Sequence, residues 1–577
     1  MDLADGSGAP GEELVNQLLL ARGAPVNDLA RHRSPTLRDF LPDPSCFRDM
    51  DAAAERIAQA VLCREAVTVF GDYDVDGATS AALLVRLFAL LGHRASFYIP
   101  DRLLEGYGPS GEALVRLAQG GSSLVITVDC GAMAHDALAQ AHDAGLDVVV
   151  VDHHKCAPDL PRAVALVNPN RLDECDEAAA HGHLAAVGVA FVLAVAVVRT
   201  LRARGFFAGQ EEPDLLSLLD LVALGTVADV AALHGLNRAF VAQGLKVLAR
   251  RQNAGLAALI EVSRLSRAPV CSDLGFALGP RINAGGRIGE ATLGVRLLTT
   301  HDKDEARKLA EQLSRLNNER RAVEGAVQEE AEAQLAAQRD RAVPVLCGHG
   351  WHPGVIGIVA GRIKEKIGRP ALVIGLDRET GLGKGSGRSI SGVDLGAAVI
   401  AAREAGLLVA GGGHAMAAGL TIAADKLETF ADFLQNRLAA RVENAQTSQT
   451  VALDLSVAPR GLNPDLVSQF DGAGPYGVGW PAPRVAVGAV TLVKADAVGQ
   501  DHLRLIARGG DGASFKAIGF RMVESELGQT LLHGSTGRPL WLAGRVKLDD
   551  WGSRPAAELH LEDAAFADEP CTAAKVR

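Results

Sequence analysis

Three short apolar runs in the N-terminal half constrain the fold of this chain more than any other feature. They cover residues 67–70, Leu124–Val128 and Asp147–Val151, and helical patterns follow the first two at residues 78–91 and 134–145. Alternating strand and helix patterns are typical of βαβ units and a parallel sheet. Because the runs are continuously apolar, we predict strands buried on both faces, and therefore an α/β fold.

Each of these runs leads into acidic or histidine side chains. In chain order these are Asp72, Asp74, Asp76, Asp129, Asp152, His153 and His154. The carboxyl ends of parallel strands meet at one edge of a sheet, so we expect the side chains to converge there. Asp229, within the apolar stretch "LGTVADVAAL", adds a fourth acidic segment to the three strand ends.

This set of side chains indicates a divalent metal site. Aspartate and histidine suit Mn²⁺ or Mg²⁺ better than structural zinc, and Cys130 and Cys156 do not supply a zinc site between them. Two metal ions about 3.5–4 Å apart stabilise the attacking and leaving oxygens of a phosphoryl centre. Taken singly, an Asp-rich turn is as often a solvated loop, and paired histidines are more often surface residues. The prediction therefore depends on the whole set.

The C-terminal half has three different textures. Residues 302–338 lack proline and carry apolar residues at helical spacing, which predicts a long connecting helix. A glycine-rich α/β stretch follows at 342–438, and residues 443–450 ("ENAQTSQT") are predicted to be a linker. Short β-like runs between glycines at 451–566 favour a small barrel or sandwich.

Length and composition set broader limits on the class of protein. A chain of 577 residues suggests several domains, and its net charge of −11 argues weakly against a nucleic-acid partner. The eight cysteines form no CxxC pair and the first ten residues lack the features of a signal peptide, so we expect a cytoplasmic protein with reduced thiols. The apolar run at 187–198 is too short to span a bilayer and predicts a buried helix, with no membrane partner.

These motifs resemble those of the DHH phosphoesterase superfamily, which takes its name from the triplet Asp152-His153-His154. Its four motifs have counterparts in order: "GDYDVDGATS", "TVDCG", "VDHHK" and "GTVADV". Within the superfamily, nearly the whole chain is similar to the bacterial exonucleases specific for single-stranded DNA. The further stretches that carry this resemblance are "IPDRLLEGYGPS", "GPRINAGGRIG", "WHPGVIGIVAGRI", "GSGRSISGVDL" and "GGGHAMAAG".

The resemblance implies four parts along the chain. A parallel-sheet DHH domain with an N-terminal extension would occupy residues 1–300, and the connecting helix residues 301–340. A smaller α/β DHH-associated domain, facing the catalytic domain across a cleft, would occupy 341–442. An OB-like β-barrel that binds nucleic acid would occupy 451–568.

The resemblance also implies roles for the residues at the sheet edge. The implied metal ligands, which are also catalytic, are Asp74, Asp76, Asp129, His153 and Asp229. Asp129 would bridge the two ions. Asp72 is either a further ligand or a residue that shapes the site, and His154 is either a ligand or a catalytic contact to the scissile phosphate. The implied cofactor is a pair of Mn²⁺ or Mg²⁺ ions.

Substrate-binding residues follow from the same comparison of motifs. The phosphate-contacting residues correspond to Arg102, Arg281, Ser386 and Arg388, and His414 would line the same cleft. A guanidinium fork beside a hydroxyl suits a phosphate oxyanion.

The DNA itself would meet a basic and partly aromatic surface. Lysine and arginine cluster at residues 361–388 and would offset the acidic net charge. Tyr107, Trp351 and Trp480 are candidates for stacking on DNA bases, and each is equally a candidate for the core.

The function implied by the resemblance is hydrolysis of single-stranded DNA from its 5′ end, releasing 5′-mononucleotides, in DNA recombination and repair. A single-strand DNA-binding protein and a helicase would be the partners. Two alternatives remain at this point. One is a DHH-family oligoribonuclease or cyclic-dinucleotide phosphodiesterase, and the other is an inactive scaffold that binds single strands.

Overall fold

The structure is a computed structural model of the 577-residue chain. It describes residues 10–102, 104–447, 450–499, 501–535, 537–549 and 555–567. These residues form two compact units. The first comprises the described residues of the ranges 1–100, 107–279 and 450–577, and the second comprises those of the ranges 101–106 and 280–449.

The first unit contains a five-stranded parallel sheet with the strand order β2-β1-β3-β4-β5. Its strands are β1 (Val67–Gly71), β2 (Ala95–Tyr98), β3 (Leu124–Val128), β4 (Asp147–Val151) and β5 (Ala165–Val167). The predicted parallel sheet is confirmed, and its three predicted strands are the central ones. The two edge strands escaped prediction because β2 is only half-buried and β5 has three residues, so neither shows a long apolar run.

The first unit has helices before, between and after the five strands of this sheet in the chain. They are α1 (Pro10–Ala21), α2 (Leu29–Arg33), α3 (Leu37–Phe40), α4 (Met50–Cys63), α5 (Val75–Leu90), α6 (Gly111–Gln119), α7 (His135–Asp143), α8 (Asp176–Ala179), α9 (Ala186–Ala203), α10 (Leu219–Ala228), α11 (Gly235–Ala249), α12 (Ala254–Val262) and α13 (Cys271–Asp273).

Helix α5 begins at Val75, three residues before the predicted start. Its N-cap is Asp74, whose carboxylate accepts hydrogen bonds from the amides of Asp76 and Gly77. This capping places Asp76 inside the first helical turn, so the helix start predicted at residue 78, which left Asp76 outside the helix, was wrong. The cap was hidden in the sequence because Asp72, Asp74 and Asp76 are all acceptable N-cap residues.

Helix α9 contains the apolar run that was predicted to be a buried helix. Its 18 residues are long and apolar enough to cross a membrane, yet 72% of them are buried within the fold. Such burial is typical of the core helix of a globular domain. The N-terminus of α9 also contributes to the functional site described below.

The C-terminal part of the first unit forms a six-stranded sheet, ordered β11-β12-β13-β14-β16-β15, with an additional pairing of β12 and β15. Its strands are β11 (Leu455–Val457), β12 (Arg484–Val498), β13 (His502–Gly509), β14 (Ser514–Gly519), β15 (Leu540–Asp549) and β16 (Ala556–Phe566). It has its own apolar core, which includes Val485, Leu505 and Leu559. The helices between these strands are α20 (Pro464–Gly472) and α21 (Glu526–Gln529).

The second unit is built on a mixed sheet with the order β6-β7-β8-β10-β9. Its strands are β6 (Val345–His349), β7 (Ala371–Leu376), β8 (Leu382–Arg388), β9 (Ala410–His414) and β10 (Ala417–Ala423), and its helices are α14 (Gly279–Ile288), α15 (Leu293–Thr299), α16 (Lys303–Leu335), α17 (Pro353–Ile367), α18 (Leu395–Glu404) and α19 (Leu427–Thr447). The predicted long helix is α16.

The end of α19 overturns part of one prediction. Residues 443–447, which were predicted to start a linker, continue the helix, and residues 448 and 449 lie outside the described part of the chain. Apolar residues on one face of α19, including Leu434, Leu438 and Val442, are buried in the core of the second unit. This burial extends the helix into a polar stretch that lacks any helix-breaking residue.

Gly225 in α10 allows three helices to approach closely beside the functional site. A Cβ atom at this position would overlap the Thr79 hydroxyl in α5 and would lie 2.7 Å from Val187 Cγ1 in α9 and 3.0 Å from Asp76 Oδ1. Gly225→Ala should therefore lower the midpoint of thermal unfolding, with a loss of about 1–3 kcal/mol from overpacking.

Gly325→Ala is the matched control, because it makes the same substitution inside α16. Nothing lies within 4 Å of a Cβ at Gly325, so the change should be stabilising by about 0.5–1 kcal/mol through helix propensity. Equal effects of the two substitutions would contradict this account of the packing at Gly225.

Candidate metal centre and anion-binding cavity

Two aspartates follow β1 at the carboxyl edge of the parallel sheet. Asp72 is 3% exposed and directly follows the strand, and Asp74 caps α5 through its Oδ1, at 2.9 Å from the Asp76 amide nitrogen. The cap uses one oxygen of Asp74 and leaves the other available for a cation. Both residues were predicted from the sequence, and the structure brings them together at the predicted edge.

Asp76 is held by the amino end of another helix. Its Oδ2 accepts a hydrogen bond from the Ala186 amide at 2.6 Å, and its Oδ1 accepts one from the Val187 amide at 3.0 Å. These amides begin α9, where the helix dipole favours a negative charge. Burial and the nearby carboxylates of Asp229 and Asp74 nevertheless raise the pKa of Asp76 well above its usual value. A cation at this position would reverse that rise.

Asp129 follows β3 and has a left-handed backbone conformation, with φ of 61°. Its side chain is 3% exposed, and burial together with Asp74, Asp76 and Asp72 raises its pKa well above the usual value. The Tyr107 hydroxyl donates to the Asp129 carbonyl oxygen at 3.1 Å. Asp129 is therefore a buried carboxylate among like charges, which is costly without a neighbouring cation.

His153 is oriented toward the carboxylates by its contact with a backbone carbonyl. Its Nδ1 lies 3.0 Å from the Leu184 carbonyl oxygen, which places the proton on Nδ1 and leaves a lone pair on Nε2. Nε2 lies 3.2 Å from Asp129 Oδ1 and 3.9 Å from Asp76 Oδ2, and it has no hydrogen-bond partner among the described residues. Burial lowers the pKa of His153, so the neutral form is favoured. This tautomer and orientation are those of a metal-binding histidine.

Asp152 positions His154 instead of joining the cluster. Its Oδ1 lies 2.8 Å from His154 Nδ1, and its Oδ2 accepts a hydrogen bond from the Ala132 amide at 3.0 Å. Burial raises the pKa of Asp152, but these hydrogen bonds and the charge of His154 outweigh it, so the pKa lies below its usual value. In return, Asp152 raises the pKa of His154 despite the burial of the ring, and the Tyr107 hydroxyl lies 3.2 Å from His154 Nδ1.

Asp229 completes the cluster from the carboxyl end of α10, where it is the C-cap residue. Its Oδ2 lies 3.9 Å from His153 Nδ1. Burial and the Asp74 carboxylate raise the pKa of Asp229 to about 7. A carboxylate at a helix C-terminus also opposes the helix dipole, which is a further reason to expect a cation beside it.

The seven residues predicted to surround the metals all lie in this cluster. Their possible ligand atoms form three overlapping groups, each within 4.8 Å: Asp72, Asp74 and Asp129; Asp76, His153 and Asp229; and Asp129, His153 and His154. The buried like charges, the raised pKa values and the unpartnered Nε2 of His153 fit divalent cations. The oxygen-rich set with imidazole suits Mn²⁺ or Mg²⁺.

A cavity of about 530 Å³ in the second unit has the opposite charge. Its polar lining includes Arg102, Arg287, Lys384, Ser386 and Arg388, and no carboxylate of the described residues lines it. The Arg388 guanidinium donates to Ser386 Oγ at 3.0 Å. Burial and the proximity of Arg102 lower the pKa of Arg388, because neighbouring cations repel. An anion in this cavity would be stabilised by all four cations.

The floor of this cavity is made of glycines that the fold itself does not require. Gly412 in β9 pairs in register with Gly419 in β10, and Gly419 pairs with Ser386 in β8. Nothing lies within 4 Å of a Cβ at Gly412 or Gly419, and neither residue has a positive φ. Neither packing nor backbone conformation demands glycine here. The bare surface instead permits the close approach of a ligand.

Two predicted substrate-binding residues do not line this cavity. Arg281 lies in α14, where its Nε donates to Ser314 Oγ at 3.4 Å. His414 ends β9 in register with Ala417, which pairs with Arg388, and its side chain is exposed. Their proposed roles stay predictions.

Most of the basic stretch at 361–388 is used within the second unit. Arg362 pairs with Glu324 and Lys366 pairs with Glu332, so these side chains join α17 to α16. Lys384 and Arg388 are the members that line the cavity.

Two of the three aromatic residues considered for base stacking are buried. Trp351 is 5% exposed and Trp480 is 7% exposed, so both belong to the core. Tyr107 is 55% exposed and lies beside His154.

Sequence reasoning did not single out Arg287, Lys384 or the interaction of Asp152 with His154. Arg287 occurs in the same motif as Arg281, "GPRINAGGRIG", and only the course of α14 determines which arginine reaches the cavity. Lys384 had a usable signal. It precedes Ser386 and Arg388 at a spacing of two, so a strand places all three on one face.

Three family models match successive parts of the chain. Residues 66–226 match the DHH family, N-terminal domain, residues 340–440 match the DHHA1 domain, and residues 453–563 match the RecJ OB domain. The class defined by the fold is therefore that of the DHH-family proteins.

Individual relatives are similar over nearly the whole chain. The single-stranded-DNA-specific exonuclease RecJ of Dickeya dadantii is 38% identical over 564 residues, which cover 95% of each chain. The protein of the same name from Escherichia coli is 36% identical, again with 95% of each chain covered. The crystal structure of RecJ from Thermus thermophilus in complex with Mn²⁺ superimposes with a TM-score of 0.75 and 29% identity, covering 96% of this chain and 75% of that one. The chain belongs to the RecJ family.

The raised pKa of Asp229 predicts a pH dependence of stability in the absence of metal. An aspartate in an unfolded chain has a pKa of about 3.9, whereas that of folded Asp229 is about 7. The folded state therefore keeps its proton to higher pH, so the contribution of Asp229 to stability is complete below about pH 4 and is lost as the pH rises through about 7. With chelator present, the thermal midpoint should fall between pH 5 and pH 8 by more in the wild type than in Asp229→Asn.

Addition of Mn²⁺ at pH 7.5 should raise the midpoint of the wild type, because the cation binds the folded state. Asp136→Asn, at an exposed position in α7, is the control and should behave like the wild type. An identical pH profile for the wild type and Asp229→Asn would contradict the assigned pKa.

Proposed function

We propose that this chain is a metal-dependent exonuclease that hydrolyses single-stranded DNA from the 5′ end and releases 5′-mononucleotides. The observation that carries the proposal is the cluster of buried aspartates and histidines at the sheet edge, in a chain whose full-length relatives are named single-stranded-DNA-specific exonucleases. In this proposal, the hydrolysis of single-stranded DNA serves DNA recombination and repair. The separate cationic cavity supports a substrate with a phosphate group.

The metal ligands in this proposal are Asp74, Asp76, Asp129, His153 and Asp229, with Asp72 as a further ligand or a shaping residue. Two Mn²⁺ or Mg²⁺ ions held by these residues would supply Lewis-acid stabilisation of phosphate oxygens and would lower the pKa of a nearby water. Structures of RecJ from Thermus thermophilus are complexes with Mn²⁺ and with Mg²⁺, which supports this choice of ions.

The protein's own groups prepare this site before substrate arrives. The Leu184 carbonyl fixes the tautomer of His153, and the amides that begin α9 orient the Asp76 carboxylate. His154, paired with Asp152, keeps a raised pKa and is half-exposed, so its protonated ring can donate a hydrogen bond to a phosphate oxygen. Such fixed donors favour the charge distribution of phosphoryl transfer without reorganisation.

The cationic cavity binds the 5′-terminal phosphate in this proposal. Arg102 and Arg388 provide guanidinium forks and Ser386 a hydroxyl, while Arg287 and Lys384 add positive charge. The glycine floor formed by Gly412 and Gly419 gives the nucleotide room to approach the strands. The net charge of −11 argued weakly against a nucleic-acid partner. The positive charge concentrated in this cavity removes that objection. Because phosphate contacts dominate, binding should weaken steeply with salt.

The proposal also includes the macromolecules with which this chain works. Single-stranded DNA is the substrate, and a single-strand DNA-binding protein and a helicase that exposes 5′ ends are proposed partners, which family roles support. A cytoplasmic location fits this set of partners. Co-purification of the chain with either partner from cell extract, in the presence of nuclease, tests this part.

Asp129→Ala should lower the rate of cleavage by about a hundredfold or more, because Asp129 belongs to two of the three ligand groups. The assay uses single-stranded DNA labelled at the 5′ or 3′ end, with Mn²⁺ and with chelator. The wild type should release a labelled mononucleotide at once from the 5′-labelled strand, and should leave blunt duplex DNA intact. Asp136→Ala, at an exposed aspartate, is the control and should retain full activity. Full activity of Asp129→Ala, or release that begins at the 3′ label, would refute the mechanism or the polarity.

Arg388→Ala should reduce the preference for 5′-phosphorylated over 5′-hydroxyl ends by about tenfold, because a charge-assisted hydrogen bond is lost. The measurement is kcat/KM on the two strands, together with a Mn²⁺ titration that should remain unchanged. Arg378→Ala, at an exposed arginine that does not line the cavity, is the matched control. Unaltered discrimination between the two ends in Arg388→Ala would remove the cavity from the proposal.

A further inference from the structure

A second cavity, of about 740 Å³, lies within the first unit, and none of the residues assigned to the metal centre or to the first cavity lines it. Its wall is formed by the end of α1, by the loop that joins α10 to α11, and by the segment that leads into β12. This volume lies within the range of about 300–1,000 Å³ that small-molecule sites occupy. Apolar residues such as Leu233, Leu453 and Pro481 contribute part of the lining.

The wall of this cavity carries more positive than negative charge. Its guanidinium groups are those of Arg22, Arg238, Arg484 and Arg545. The carboxylates that these arginines contact are Asp454, which accepts from Arg22 Nε at 3.0 Å, and Glu562, which lies 2.6 Å from Arg484 Nε and 3.0 Å from Arg545 Nη1. Four cations therefore share two carboxylates, and two histidines, His32 and His234, lie in the same wall.

Arg238 is the cation without a counter-charge. It is 3% exposed, its Nη2 donates to the carbonyl oxygens of Ala473 and Gly474 at 2.7 and 2.9 Å, and its Nη1 donates to that of His32. No ion pair joins the Arg238 guanidinium to a carboxylate among the described residues, and its Nε has no hydrogen-bond partner among them. Burial and the nearby Arg22 lower the pKa of Arg238 to about 10. A buried charge without a counter-charge is costly even when its N–H groups are hydrogen-bonded, so an anion beside it would be stabilising.

Trp480 holds two of these cations in place. The guanidinium carbons of Arg22 and Arg238 lie 4.9 and 4.7 Å from the centroid of its ring, and its indole nitrogen donates to Ala473 at 3.0 Å. These contacts alone would explain a structural clamp between α1, α11 and the C-terminal sheet. A clamp does not require an excess of cations around an open cavity, whereas an anion-binding site does.

We propose that this cavity binds the phosphate group of a nucleotide or of a DNA strand. Arginine forks match phosphate oxygens in geometry as well as charge, and several forks around one cavity suit a tetrahedral anion with more than two acceptor oxygens. The apolar part of the lining leaves space for a sugar and base. Two sources share this chemistry: a free 5′-mononucleotide and a phosphodiester of a bound strand. The inference concerns binding and not cleavage. It can therefore be confirmed or refuted independently of the proposed cleavage reaction.

The test uses the full-length chain with chelator and the Arg388→Ala background, which weakens phosphate binding in the other cavity by removing one of its guanidinium groups. Isothermal titration with thymidine 5′-monophosphate, and separately with inorganic phosphate, measures the remaining binding. One saturable site should remain for the nucleotide. Adding Arg545→Gln should weaken its Kd about tenfold, the effect of one lost charge-assisted hydrogen bond. Arg545 is half-exposed, so the substitution should leave the fold intact, and Arg484→Gln provides a second variant with the same expected loss.

Arg504→Gln is the matched control, since Arg504 also lies on the C-terminal sheet and pairs with one carboxylate, Asp496, but does not line the cavity. A competing oligothymidylate with a 5′-hydroxyl end identifies the source. Displacement of the mononucleotide assigns the site to a strand phosphodiester, and absence of displacement assigns it to a free nucleotide. The proposal is overturned if neither probe binds saturably to Arg388→Ala, or if Arg545→Gln and Arg484→Gln bind as tightly as Arg504→Gln.

Discussion

Repulsion among buried carboxylates is the constraint on which the rest of this structure depends. Asp72, Asp76 and Asp129 are each at most 3% exposed, and each lies near other negative charges. The fold lowers the cost with backbone amides: the start of α5 binds Asp74, and the start of α9 binds Asp76. These amides are insufficient, since the pKa values of Asp76 and Asp129 stay raised. The remaining deficit of positive charge explains why the site requires divalent cations.

The two units contain sites of opposite charge. The sheet edge of the first unit concentrates negative charge for cations, and the cavity of the second unit concentrates positive charge for an anion. Each site is built on regular elements, with its side chains held by helix termini or by alternate positions of a strand. The acidic net charge therefore says little about the substrate, because the positive charges that line this cavity are segregated from the acidic majority.

Tertiary packing accounts both for the predictions that were wrong and for the alternatives that the local sequence pattern left open. The polar residues at 443–447 remain helical because the preceding turns of α19 are anchored in a core. Trp351 and Trp480 are buried, since large aromatic rings contribute more by packing than by exposure. The basic residues of α17 form pairs with α16, so a run of positive charge in the sequence was a poor guide to the positive surface.

The sequence by itself determined the parallel sheet, the long helix α16 and the convergence of six of the seven candidate metal-site residues, because strand alternation and residues at strand ends follow from local periodicity. The seventh, Asp229, ends a helix. Only the tertiary structure decided which groups support them. The Leu184 carbonyl that orients His153 and the α9 amides that hold Asp76 come from segments 31 and more than 100 residues away. The choice of Arg287 over Arg281 in the cavity depends on the course of α14. Such contacts join residues that are distant in sequence, and no short-range pattern encodes them.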